Sequence, residues 1–336
     1  MAGLGVIQSF TKNDFLNPTD IAPELYDLSH DIRQTPQSHL LSTRPTSVFV
    51  SDGRFGMFLF LFFILAFGTS VYLSMRGKKG RALVFLTLGI VVLASVMTGS
   101  RTTFMYMILD AVVLAVALLW GAPIRQRKAF RLGKAIRWAV SFAAVAILLT
   151  VVFFPEAIYA RWAMYAETLS PTSQTSELGY RGWEYPATEF NKIFTQQNWE
   201  YGNGIGTASL GRQYVTRLVD APNLLIGTES GYGALVAEFG VAGPILWMVW
   251  TIAVVVYAWK VVRKLKKTAF FTIGFAIFWY AFMLLIPTTF YGIAGYQNYL
   301  TNAYLWLTLG MLFRLPGLLA EQQAAAAAAA RDAHAT

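Results

Sequence analysis

The sequence predicts an all-α fold: a polytopic helical membrane protein with about seven transmembrane helices and one long extracytoplasmic loop. Three observations predict it. The chain is 56% hydrophobic and only 13% charged, against about 25% charged residues in an ordinary soluble domain. Its apolar residues gather into runs near the length that crosses a bilayer. Its basic residues gather between those runs, in loops without acids, which is the bias of cytoplasmic loops. A length of 336 residues would suit two soluble domains, but the apolar runs exclude them. The net charge of +9 belongs to those loops, so it reads as a topology signal and no nucleic-acid partner is expected. The absence of cysteine removes any disulfide or thiolate site.

Residues 1–53 are polar, with no apolar core of signal-peptide type. His30 and His39 lie here; histidines in such a segment are most often solvated, and neither is assigned a catalytic role. Residues 54–154 hold four spans: Phe55 to Met75, Ala82 to Met97, Thr102 to Trp120, and Trp138 to Phe154, stopped by Pro155. Residues 155–230 form the long polar and aromatic loop. Residues 231–319 open with a short helix and hold three more spans, from near Val241 to Trp259, Ala269 to Ile286, and Tyr299 to Leu315. Residues 320–336 are an alanine-rich tail that is disordered or extends the last helix, alanine being the best helix former.

Charge orients these spans. The loops after the first, third and fifth hold fifteen basic residues and no acid, whereas Pro155 to Glu229 carries five basic and eight acidic residues, a net charge of −3. This places the N-terminus and the long loop outside and the C-terminus inside. An outside N-terminus without a signal sequence needs an explanation: either 53 polar residues cross unaided, or the chain is the C-terminal portion of a longer protein. The topology favours the second.

The long loop is the expected working surface, because backbone between apolar spans must sit in water or in a protein-lined cavity. Its aromatic content argues against disorder. Arg181, between Tyr180 and Gly182, reads as a phosphate clamp or as the partner of Glu177 or Glu184. Gly202, Gly204 and Gly206 allow either a tight turn or close backbone approach to a ligand. Glu229 and Ser230 open a helix that continues through Tyr232, Leu235, Val236 and Phe239 at helical spacing. Thr228 or Ser230 would cap it, and Glu229 reads either as a first-turn carboxylate favoured by the helix dipole or as a general base at the membrane boundary.

Two further residues lie at or within spans. Ser100 is a candidate N-cap that puts Arg101 in the first turn of the third span. There its guanidinium, beside free N–H groups, suits a phosphate or serves as an interfacial anchor. Asp110 lies midway along that span, where an ionised carboxylate is costly, so it faces a cavity or partner or is a hydrogen-bonded packing residue. No paired histidine, cysteine or Asp-x-Asp suggests a metal, and no cofactor is expected.

In order, these residues resemble a known family. Ser100-Arg101 at an outer helix edge is followed by Tyr180-Arg181-Gly182-Trp183 in a long outer loop. Gly202-x-Gly204-x-Gly206 comes next, and then Glu229-Ser230-x-Tyr232 with Glu238-x-Gly240-x-x-Gly243. The order, over about Arg54 to Leu315, is similar to the C-terminal half of the O-antigen ligase and O-antigen polymerase family of bacterial membrane glycosyltransferases. The resemblance implies a metal-independent, inverting transfer from an undecaprenyl-diphosphate-linked glycan to a saccharide or glycolipid hydroxyl, at the periplasmic face of the inner membrane. Arg101 and Arg181 would hold the diphosphate, and Glu229 would deprotonate or orient the acceptor. Gly204, Gly206, Ser230 and Asp110 are weaker candidates for substrate contact.

Ligases of this family usually carry histidine where this chain has Glu229, and often asparagine where it has Ser230, which shifts weight from ligase toward a polymerase or an uncharacterised relative. Members also usually have about twelve spans, so a separate chain supplying N-terminal helices is an expected partner, besides the bilayer. A transporter or lipid-handling subunit, with Asp110 as proton relay, is the alternative, and an inactive packing subunit the third.

Overall fold

The computed structural model describes residues 1–13, 15–17, 32–77, 79–123, 155–174, 176–208, 228–291 and 299–335, together with Arg137, Ser141, Val145, Leu148, Val151 and Val152. His30, most of the fourth expected span, the basic residues from Arg125 to Lys134, Arg212 and Arg217, and the end of the last expected hairpin lie outside the described residues. Within them the chain is mostly helical, with five helices long and apolar enough to cross a membrane and one small antiparallel hairpin. It divides into two units: Met1–Ser176 with Leu265–Ile277, and Glu177–Lys264 with Phe278–Thr336.

The first unit begins with helix α1, Ala2–Thr11, in the segment read as merely polar. Its Gln8 is buried and works in both directions. The amide donates to the carbonyls of Phe15 at 2.7 Å and Ser47 at 3.0 Å, and its oxygen accepts from the Ser47 N–H at 2.6 Å. The hairpin follows, β1 Ile32–Gln34 with β2 Leu41–Thr43, in register Arg33 to Ser42.

Helix α2, Asp52–Arg76, follows its Ser51 N-cap and carries an acid in its first turn and a base in its last, both favourable to the helix dipole. At 25 residues it spans about 37 Å, enough for ~30 Å of hydrocarbon. Helix α3, Arg81–Met97, has 17 residues and reaches only about 25 Å. Among the described residues it is the one expected span that falls short, the sixth reaching sufficient length as the run Phe270–Phe290. Helix α4, Arg101–Gly121, runs back. Small residues let these helices approach: a Cβ on Gly56 would lie 2.6 Å from Thr103 Oγ1, and one on Gly68 2.7 Å from the Ala276 methyl. Lys267 N–H caps the Gly121 carbonyl at 2.7 Å, and Lys266 Nζ sits 3.8 Å from the centre of the Trp120 ring.

Helix α5, Pro155–Leu169, completes this unit by closing the end of α3. Its Arg161 donates to the carbonyls of Met97 at 2.7 Å and Thr43 at 2.8 Å and to Ser9 Oγ. Tyr165 donates to the Val96 carbonyl at 2.9 Å, and Arg44, paired with Asp52 at 2.5 Å, reaches the Thr98 carbonyl. The last carbonyls of α3 and that of its Thr98 cap, which have no partner inside the helix, are thus met by two buried guanidinium groups and a phenol.

The second unit opens with a wide turn at Tyr180–Glu184 and continues as helix α6, Tyr185–Asn191, and a 3₁₀ turn, Lys192–Thr195. The long loop is therefore largely helical where it is described. Helix α7, Gly231–Phe239, leads into α8, Ala242–Lys264. Helix α9, Phe270–Leu285, belongs to the first unit up to Ile277 and to the second from Phe278. Short helix α10, Pro287–Tyr291, follows, and α11, Tyr299–Ala335, carries Pro316 inside it and takes the alanine-rich tail as its last turns. Helices α8 and α11 pack through aromatic pairs, Trp250 with Trp306 at 5.8 Å and Tyr257 with Phe313 at 5.2 Å.

Candidate functional site

The wide turn follows from the proline beside it. Tyr185 N–H reaches back five residues to the Tyr180 carbonyl, and Pro186, next in the chain, has no N–H to give. Such π-type turns are uncommon and recur at functional positions. This one presents Arg181 at the surface. Its Nε lies 3.3 Å from Glu177 Oε2, and its guanidinium carbon lies 4.6 Å from the centre of the Tyr185 ring. Of the readings open to Arg181, the ion pair with Glu177 is present, and the stack on Tyr185 adds a contact the sequence did not suggest.

Tyr185 joins Arg181 to Glu229. Burial is the main cause that pushes its phenol above the ordinary value; next come its hydrogen bond with the Glu229 side chain and the charges of Glu229 and Glu189, while Arg181 opposes them. Glu189, one turn further along α6, is 4% exposed. It accepts the Glu229 N–H at 3.2 Å and takes Lys192 Nζ on its other oxygen, and its carbonyl accepts the Thr228 hydroxyl at 3.1 Å. The Lys192 ammonium is held above its ordinary value by that hydrogen bond, against the effect of burial. Glu189 thus fixes the backbone entering α7, and Tyr185 engages the exposed carboxylate that this backbone carries.

Ser230 is the N-cap of α7, with Oγ accepting from Gly233 N–H at 3.1 Å. Glu229 therefore precedes the cap and does not lie in the first helical turn, which corrects the sequence expectation: the capping hydroxyl comes after the acid, because Ser230 and not Thr228 takes that place. Thr228 Oγ1 instead accepts from Ser230 N–H at 3.1 Å.

The glycine run stands at the opposite end of the same helix. Asn203 N–H donates to the Ala237 carbonyl at 2.8 Å, Gly204 N–H to Glu238 at 3.1 Å, and Val241 N–H to Glu200 at 3.1 Å. Gly202, Gly204 and Gly206 have φ of 84°, 96° and 86°. The backbone approach they permit is made at Gly202, where a Cβ would fall 2.5 Å from the Glu238 carbonyl oxygen. Around Gly204 there is open space. Nine helical residues separate this loop from Glu229, about 13 Å along the axis, so Gly204 and Gly206 are not part of the Arg181–Tyr185–Glu229 group. Glu238 is buried here, its carboxyl raised by burial and opposed by N–H groups of Ala208 and Gly206.

Arg101 and Asp110 belong to the first unit. Ser100 caps α4 through Thr103 N–H at 3.4 Å, so Arg101 occupies the first turn and is half-buried. Asp110 is fully buried. Among the described residues no group of three or more His, Cys, Asp or Glu side chains could hold a metal.

Sequence reasoning missed Tyr185, Glu189 and Lys192. A signal was present: Glu177, Arg181, Tyr185 and Glu189 recur every four residues, which is one face of a helix. Chemically, a carboxylate hydrogen-bonded to a neutral phenol can accept a proton, and a guanidinium on the same ring can bind an anion. Compared with known proteins, the chain matches no family model, no curated protein and no solved structure.

Proposed function

We propose that this chain is a membrane glycosyltransferase that moves or polymerises a glycan from an undecaprenyl-diphosphate-linked donor onto a saccharide or glycolipid hydroxyl. The observation that carries the reading is the Arg181–Tyr185–Glu229 arrangement, which sets a cationic fork and a carboxylate on one aromatic ring. Arg181 binds the diphosphate and offsets the charge that develops as it leaves. Glu229 takes the acceptor proton or orients its hydroxyl. For Arg101, in the first turn of a long apolar helix, the phosphate-binding role rests on the family resemblance alone. The transfer needs no metal or other cofactor. The chain sits in a bacterial inner membrane with its polar segment on the periplasmic side.

The test is transfer in proteoliposomes with a lipid-diphosphate oligosaccharide donor. Arg181→Ala, Arg101→Ala and Glu229→Gln abolish transfer while expression and folding persist. Full activity in all three overturns the reading.

A second reading, a transporter or lipid-handling subunit, is favoured by the complete burial of Asp110 within an apolar helix. It predicts that Asp110→Asn is the dominant loss and that the three site variants are silent.

A further inference from the structure

We propose that the Tyr180–Glu184 turn is an interfacial membrane element, seated among lipid headgroups at the end of the apolar run Phe270–Phe290. Its aromatic side chains are not folded inward: Trp183 is 68% exposed and Tyr180 49%. A water-facing loop has no reason to present an indole and a phenol side by side, whereas both are enriched where hydrocarbon meets headgroups.

Depth is fixed by a contact. The Trp183 ring lies 5.7 Å from that of Phe290, and Phe290 closes the membrane-spanning run. The turn therefore lies level with the end of that run, with Trp183 and Tyr180 still open on its outer face. The occupant this fits is the bilayer itself.

Charge narrows the partner further. Arg181 is the cation of the turn, and Glu177 pairs with it. Aromatic partitioning, and not attraction to acidic lipid, is the driving term, so zwitterionic lipid suffices. This inference does not depend on glycosyl transfer; it requires only that the apolar run crosses a membrane.

The natural absence of cysteine makes the test direct. Trp183→Cys and Tyr180→Cys, each labelled with an environment-sensitive fluorophore, are reconstituted in phosphatidylcholine vesicles. Val249→Cys, at an exposed position of α8, serves as the deep reference, and the free dye in buffer as the aqueous one. The expected result is emission intermediate between the references, with severalfold stronger quenching by headgroup-level nitroxide lipids than by aqueous iodide at both positions. Quenching by iodide equal to that of the free dye overturns the proposal. So does shielding from both quenchers, which marks burial against a second copy or another protein. A blue shift that appears only when acidic lipid is added also overturns it, since charge would then be the cause.

Discussion

Arg161 Nε lies 2.7 Å from the carbonyl oxygen of Met97, across 64 positions of sequence. The same guanidinium serves Thr43 and Ser9, so one side chain ties α1, the hairpin, the end of α3 and α5 together. Burial pulls it down to about 10, opposed by Tyr165, and it remains charged at neutral pH. Arg161→Met removes the donor while keeping much of the volume, and leaves two carbonyls and a hydroxyl unmet. The expected loss is about 3 kcal/mol, measured as a lowered unfolding midpoint in detergent, with Arg161→Lys intermediate.

The glycine loop makes a graded prediction. Alanine at Gly202 meets both a positive φ and the Glu238 carbonyl at 2.5 Å, and alanine at Gly240 meets the Glu200 carbonyl. Alanine at Gly204 meets the positive φ alone. Gly204→Ala should cost about 1 kcal/mol, and the other two at least twice that, about 2–3 kcal/mol. Thermal unfolding of the three variants checks the order.

The ends of two long apolar helices were legible because a run long enough to cross a membrane is conspicuous in sequence: the first expected span, Phe55 to Met75, became Asp52–Arg76, and the third became Arg101–Gly121. Ser100 as a cap was legible because local chemistry decides it. What was not legible depended on tertiary partners. Gln8 and Arg161 look like ordinary polar residues until distant carbonyls need them. The position of Glu229 outside α7 turned on which of two hydroxyls took the cap. Of the candidate site, Arg181 and Glu229 were singled out by their type and place, but the ring between them was hidden inside an aromatic-rich stretch where no single tyrosine stood out.

Acid should loosen the first unit at the hairpin tip. Glu167 accepts the N–H groups of Gln37 at 2.7 Å and Ser38 at 3.2 Å and the Ser38 hydroxyl at 2.5 Å. Burial by itself would raise its carboxyl, but these hydrogen bonds, that of the Ser38 hydroxyl foremost, hold it below the ordinary value. A depressed carboxyl contributes stability that is present above its unfolded value and lost as pH falls through the folded one. Amides of Gln37 and Ser38, corrected for intrinsic exchange, should lose protection on acidification, and Glu167→Gln should show the low protection at every pH.

Tyr185 carries two roles that separate cleanly by substitution. Tyr185→Phe keeps the ring under Arg181 and removes the hydroxyl that meets Glu229; Tyr185→Ala removes both. If Glu229 handles the acceptor and Arg181 the diphosphate, the phenylalanine variant should lose kcat by about tenfold, the value of one hydrogen bond to a charged group. Its KM for the lipid donor should stay near that of the parent. The alanine variant should add a rise in donor KM, because the guanidinium loses the surface that orients it. The phenol is raised well above its ordinary value, so it remains a neutral donor through the mildly alkaline range and should set no alkaline limb of its own. Steady-state kinetics of both variants with the lipid-linked donor decide the matter. A phenylalanine variant that matches the parent while the alanine variant fails in KM alone would leave Tyr185 as a platform for Arg181, with no part in holding the Glu229 carboxylate.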